Sequence, residues 1–139
     1  EEKCKVLSSI FLPGDLYFMD CIKDNEKNDT YLILGSSSWI KGTEKSTKFA
    51  EESGLSYEVV QDLPYHELLI KLSTSKGLIF QPLGGDTCPR IVIEAQLLGC
   101  ELILNENVQH KDELWFENSE SSYPYLKTRT TEFWEFYEQ

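Results

Sequence analysis

The segment Gly77–Asn105 constrains the fold more than any other part of this chain of 139 residues. Its sequence, GLIFQPLGGDTCPRIVIEAQLLGCELILN, contains two short apolar runs of strand length. Between the runs lie a glycine-rich turn, an apolar stretch of helix length and a glycine that can end the helix. A strand, a helix and a second strand in this order predict a β-α-β unit with parallel strands.

Units of this kind extend over most of the chain. Five short runs rich in Val, Ile, Leu or Tyr predict strands that are covered on both faces. These runs are Lys5–Phe11, Tyr31–Gly35, Tyr57–Val60, Leu78–Gln81 and Glu101–Asn105. The helical patterns between them are Pro13–Asp24, Thr43–Ser53, Pro64–Ser73 and Pro89–Leu98. The alternation predicts one α/β domain over residues 1–139, a doubly wound, three-layer (αβα) Rossmann-like domain with about five parallel strands.

The last part of the chain breaks this alternation. Asn118–Tyr125 (NSESSYPY) is polar and is interpreted as a loop, and Thr130–Gln139 is interpreted as a short aromatic helix.

Charge and hydropathy exclude several classes of partner. The chain has 13 Lys and Arg residues against 24 Asp and Glu residues, a formal net charge of −11, so we expect no nucleic-acid partner. No apolar run approaches the roughly 20 residues that span a bilayer, so we expect no transmembrane segment. The four cysteines lack metal or redox spacing and the charged N-terminus lacks a signal-peptide core, so we expect free thiols and a cytoplasmic location.

The turn before the last of these helices carries candidate binding residues. Its glycines, Gly85 among them, let the backbone approach a ligand closely, and Asp86 or Thr87 can cap the helix. Arg90 then lies in the first helical turn, where a cation opposes the helix dipole. A diphosphate bound at the helix N-terminus would explain this arginine, and so would a salt bridge in an ordinary capped helix.

Glu94 follows in the same helix, among apolar neighbours. A buried carboxylate needs a partner, because its burial alone is costly. The hydroxyls of a ribose would serve, and a lysine or arginine of the protein would serve equally.

A second loop of phosphate-binding character follows the strand Tyr31–Gly35. Its sequence, GSSSWIKG, combines small hydroxyl side chains such as Ser36 with the cation of Lys41, and Gly42 then opens the next helix. The spacing of a Walker loop is absent, and a plain surface loop is the alternative. Because the carboxyl ends of parallel strands share one edge, we expect this loop and the turn at Asp86 to face one crevice.

These elements together resemble the carboxyl-terminal, donor-binding domain of GT-B-fold glycosyltransferases of the retaining, glycogen-synthase-like type. The resemblance covers Tyr31–Phe116. It rests on the Lys41-Gly42 turn, on Gln81-Pro82 after a strand, and on an acidic residue, seven residues and Glu-Ala, here Asp86, Glu94 and Ala95, followed by Gly99.

The resemblance implies a transferase that binds a nucleoside-diphosphate sugar, without a cofactor or metal, and uses an acceptor held by another domain or chain. Lys41 and Asp86 would be catalytic, Lys41 by neutralising the diphosphate and Asp86 by lying near the sugar. Glu94 would bind the nucleotide ribose. The remaining expected donor contacts are Ser36, Gly85, Thr87, Cys88, Arg90 and Asn105.

Two departures from the family pattern favour an alternative, a non-catalytic binding or interaction module with a degenerate fold of this type. Ser36 stands where the family has an arginine, and Pro89 stands where it has a glycine that offers a backbone donor. A third hypothesis, a flavodoxin-like receiver or redox domain, requires an acidic pocket after the first strand, and LSSIFLPG offers none.

Overall fold

Helices and strands alternate in the computed structural model, which describes residues 11–38, 41–85, 89–108 and 122–129 together with Phe116 and Glu135. The helices are α1 Pro13–Ile22, α2 Thr43–Glu52, α3 Tyr65–Ser73, α4 Arg90–Leu97 and α5, residues 122–129. The strands are β1 Tyr31–Leu34, β2 Tyr57–Val60, β3 Gly77–Ile79 and β4 Glu101–Ile103. The first four predicted helices and four of the predicted strands are confirmed, with ends that shift by one or two residues.

The strands form one parallel sheet in the order β2-β1-β3-β4. This confirms the predicted parallel α/β architecture, with four strands among the described residues instead of about five. The predicted strand Lys5–Phe11 lies outside the described residues apart from Phe11, which is fully buried. β2 lies on one side of β1 and β3 on the other, so the strand order reverses between β1 and β3.

Helices cover both faces of the sheet. Successive side chains of a strand point to opposite faces, where they pack into two separate apolar clusters. Leu32 and Leu78 belong to a large cluster that also contains the buried side chains of α1, α3 and α4. Ile33 and Ile79 point to the other face, where α2 contributes Ala50. The central strands β1 and β3 are buried on both faces, which explains their continuous apolar runs. The prediction of cover on both faces is wrong for the edge strands β2 and β4, which are partly exposed.

The prediction that Asn118–Tyr125 is a loop is wrong for its last four residues, which belong to α5. Although the sequence around the first described residues of α5 is polar, the side chains of Tyr123 and Leu126 are buried. The Ser122 hydroxyl donates to the side-chain carbonyl of Gln96, which fixes α5 against α4. Except for Glu135, the predicted aromatic helix Thr130–Gln139 lies outside the described residues.

One lysine joins the C-terminal ends of two helices. The Lys27 ammonium donates to the carbonyl of Ser73 at the end of α3 and to the carbonyl of Leu98 just after α4, each at 2.7 Å. Both carbonyls belong to the negative ends of helix dipoles, so a shared cation stabilises both helices. None of the helices described by the structure is long and apolar enough to cross a bilayer.

Candidate functional site

The carboxyl edge of the sheet carries a hollow at the point where the strand order reverses. The loops that follow β1 and β3 leave the sheet there in opposite directions, which opens a crevice between them. A hollow of about 340 Å³ lies in this position. Its wall includes Lys41, Tyr65, Phe80, Pro89, Arg90 and Glu94. We call this hollow the crevice.

The two loops touch each other beside the crevice, and Gly42 makes the contact possible. Gly42 has a left-handed backbone, with φ of 74°. A Cβ atom at this position would lie 2.0 Å from the carbonyl oxygen of Gln81. The Ser46 hydroxyl also accepts a hydrogen bond of 3.2 Å from the Gln81 N–H. The glycine after Lys41 therefore holds the lysine-bearing loop against the β3 loop.

Thr43 fixes the other end of the same loop. Its hydroxyl donates to the Leu34 carbonyl at 2.9 Å and accepts from the Ser36 N–H at 3.2 Å. The Ser36 side chain faces a second, smaller hollow of about 220 Å³ at the start of α2. The structure thus brings Lys41 into the crevice and places Ser36 on the neighbouring hollow.

Glu94 is the most deeply buried polar group of the crevice. It lies in the second turn of α4, the residue is only 3% exposed, and its Oε2 atom has no hydrogen-bond partner among the described residues. Burial raises the pKa of this carboxyl, and the nearby Tyr65 hydroxyl and the Arg90 charge oppose that increase. The Arg90 Nε atom lies 3.7 Å from Oε2, which is ion-pair distance but too long for a good hydrogen bond.

Arg90 begins α4 at the mouth of the crevice. Its guanidinium lies over the Phe11 ring, 4.0 Å from the ring centroid, and 5.8 Å from the centroid of Tyr65. The Arg90 side chain is 43% exposed. The sequence left a protein arginine and ribose hydroxyls as alternative partners for Glu94. The structure contains the arginine, in a long ion pair that leaves Oε2 without a hydrogen bond.

The predicted cap of α4 is wrong. Pro89 occupies the N-cap position with extended backbone, so the helix starts too late for Asp86 or Thr87 to cap it. Among the described residues no side chain caps the helix, and the Val92 N–H bonds to the Pro89 carbonyl at 3.2 Å. The positive end of the helix dipole and the Arg90 side chain make the start of α4 electropositive.

The other predicted site residues lie around the β3 loop or outside the described residues. Asp86, Thr87 and Cys88 are outside them, so their assigned roles stay predictions. Gly85 is exposed at the end of the described part of this loop. The Asn105 side chain donates a hydrogen bond to the Pro82 carbonyl at 2.9 Å, and this bond helps to fix the β3 loop.

Tyr65 is a crevice residue that the sequence did not reveal. It is the first residue of α3, and its hydroxyl is buried without a hydrogen-bond partner among the described residues. A useful signal was its position: the loop that precedes α3 follows β2, so the start of α3 lies at the same edge as the two binding loops.

The crevice combines groups suited to a polar ligand that also carries a flat ring. Lys41 and the start of α4 supply positive charge, Glu94 supplies a hydrogen-bond acceptor, and Phe80 with Tyr65 supplies aromatic surface. No cluster of three or more potential metal ligands occurs within residues 11–38, 41–85, 89–108 and 122–129. Comparison with known proteins finds no matching family model, no significantly similar curated protein and no significantly similar solved structure.

Proposed function

We propose that this domain binds a nucleoside-diphosphate sugar in the crevice and acts as the donor-binding half of a glycosyltransferase. In this proposal an acceptor is held by another domain or chain, and the sugar passes to it from the bound donor. The observation that carries the proposal is Glu94, a buried carboxylate with an unsatisfied oxygen at the switch point of a parallel sheet. Such an oxygen matches the hydroxyls of a nucleotide ribose, which donate hydrogen bonds.

The positive side of the crevice suits the diphosphate. Lys41 lines the crevice together with Pro89, Arg90 and Glu94, so its cation and the positive end of the α4 dipole border the same hollow. A pyrophosphate between the lysine and the helix start would place the ribose further along α4, towards Glu94. Arg90 would then supply the cation that the family pattern has in place of Ser36.

The chemistry assigned to the domain is positioning and charge stabilisation. As the bond between the sugar and the diphosphate breaks, negative charge grows on the departing phosphate oxygen. A lysine and the positive end of a helix dipole, both fixed before the reaction, stabilise that charge without reorganising. Asp86 is assigned a place near the sugar by the family resemblance alone.

A non-catalytic binding module is the second candidate. Ser36 faces the neighbouring hollow, and Arg90 already packs on Phe11 and approaches Glu94. A domain that binds the nucleotide with these groups engaged elsewhere would hold the donor without speeding its cleavage. Release of UDP, GDP or ADP from the matching nucleotide glucose, with and without a soluble sugar acceptor, separates a transferase from such a module.

Calorimetric titration tests the binding step itself. UDP, GDP and ADP and their glucose derivatives are titrated into the domain, and we expect one of the nucleotides to bind. Glu94→Ala is expected to abolish this binding while the domain stays folded. Lys41→Met is expected to lower the affinity for nucleoside diphosphates more than the affinity for nucleosides. Lys48→Met is the control for lost charge, because Lys48 is exposed on α2 and pairs only loosely with Glu52. Unchanged affinity in Glu94→Ala would remove the ribose assignment.

A further inference from the structure

We propose that Tyr65 is a second ligand-binding residue of the crevice, whose hydroxyl acts together with Glu94 to bind two neighbouring hydroxyls of one sugar ring. The inference rests on the proposed function, since the ring in question is the nucleotide pentose. It adds a specificity: the crevice should select ribonucleotides over their deoxy counterparts.

The evidence is the pairing of two unsatisfied atoms in one place. Within the part of the chain that the structure describes, the buried side-chain atoms without a hydrogen-bond partner are the Tyr65 hydroxyl and Glu94 Oε2. Both side chains line the crevice. Buried polar groups are normally hydrogen-bonded, so two exceptions on facing helices indicate a ligand that bonds to both.

The two groups are close, but no hydrogen bond of good geometry joins them. Burial is the main reason why the pKa of each group is raised; a weak hydrogen-bonding contact between them partly offsets this increase at Glu94 and adds to it at Tyr65. A carboxylate only accepts hydrogen bonds, whereas a phenol both donates and accepts. A vicinal diol has the matching groups, because one hydroxyl can donate to Glu94 while the other exchanges a hydrogen bond with Tyr65.

Tyr65 lies between the crevice and the core. It is the first residue of α3, and Leu69 and Leu72 of the same helix are buried. Leu68 and Phe80 also line the crevice and limit the access of water to the diol. In such surroundings a ligand that lacks one hydroxyl leaves a protein group unpaired, which gives strong discrimination.

The first test uses the unaltered protein. UDP, GDP and ADP are titrated beside their 2′-deoxy and 3′-deoxy counterparts by calorimetry. We expect each deoxy form to bind about tenfold more weakly or worse than the ribonucleotide, as for one lost hydrogen bond in a buried site. Equal affinities would overturn the diol inference and leave nucleotide binding in the crevice intact. Binding of none of the nucleotides would overturn the proposed function and the inference with it.

The second test removes the hydroxyl from the protein. Tyr65→Phe keeps the ring, and we expect it to weaken the ribonucleotide about tenfold while changing the affinity of the deoxy form that lacks its hydroxyl partner much less. Tyr31→Phe is the matched control: this hydroxyl donates to Glu101 Oε2 at 2.7 Å, at the amino edge of the sheet, and its loss should leave every affinity unchanged. An unaltered preference for ribonucleotides in Tyr65→Phe would show that Tyr65 does not bind the ligand.

Discussion

Replacing Gly42 by alanine tests the contact between the two loops that form the crevice. Alanine in the left-handed backbone of Gly42 costs about 1–2 kcal/mol. The new Cβ would also lie 2.0 Å from the Gln81 carbonyl oxygen, a backbone atom that cannot rotate away. The loops must then separate, which adds about 1–3 kcal/mol of overpacking and about 1 kcal/mol for the weakened hydrogen bond to Ser46. We therefore expect a loss of about 3–6 kcal/mol, a large part of the stability of an ordinary domain.

Substitutions at two other glycines are controls that distinguish the cost of the left-handed backbone from the cost of the steric clash with Gln81. Gly54 is also left-handed, with φ of 69°, but a Cβ there meets nothing within 4 Å, so Gly54→Ala should cost only about 1–2 kcal/mol. Gly14 lies in α1 with open space around it, and Gly14→Ala should be neutral or stabilising by up to about 1 kcal/mol. Urea unfolding followed by circular dichroism gives all three free energies. If Gly42→Ala were no more destabilising than Gly54→Ala, the loops would not be in contact as described.

Three further predictions concern groups around the core and the crevice. Because burial raises the pKa of Glu94, its protonated form stabilises the fold, and that stability is lost as pH rises through the folded-state pKa. Glu94→Gln should therefore raise the melting temperature at neutral pH and lose this advantage in acid while it weakens nucleotide binding; a variant less stable than the wild type at neutral pH would contradict this. Lys27→Met should cost about 3 kcal/mol in urea unfolding, because two helix ends lose a charge-assisted hydrogen bond, whereas the exposed Lys48→Met should cost under about 0.5 kcal/mol, and equal losses would refute the double cap. The buried Cys100 thiol, whose pKa is raised to about 11, should resist iodoacetamide at pH 8 in the folded protein while the exposed Cys21 reacts, as peptide mass spectrometry would show; comparable labelling of both would contradict the burial.

The order of helices and strands could be predicted because each element depends mainly on the local pattern of apolar residues. Short apolar runs flanked by glycine, such as Gly77–Ile79 and Glu101–Ile103, leave few options other than parallel strands of an α/β sheet. The start of α4 could not be predicted to the residue, because Pro89 itself takes the N-cap position. The loop assignment failed for residues 122–125 because the packing of Tyr123 against α4 outweighs a polar composition.

The residues of the candidate site could be predicted only where they lie in or directly after a loop that follows a predicted strand. Lys41, Arg90 and Glu94 were identified from their positions after strands, and the structure gathers them in one crevice. The contribution of Tyr65 arises from the packing of α3 against α4, which depends on the order of strands in the sheet. That order is a tertiary property, and no local pattern in the sequence specifies it. The role of each residue in ligand binding stays a prediction.

The central claim, that the crevice binds the nucleotide diphosphate of a sugar donor, is tested most directly by mapping the ligand on the folded domain. Amide NMR shifts are recorded as UDP, GDP and ADP and their glucose derivatives are added. The account predicts saturable shifts clustered at residues 35–42 and 84–94, with the start of α3 included. No shifts at millimolar ligand, or shifts confined to surfaces away from the crevice, would contradict it.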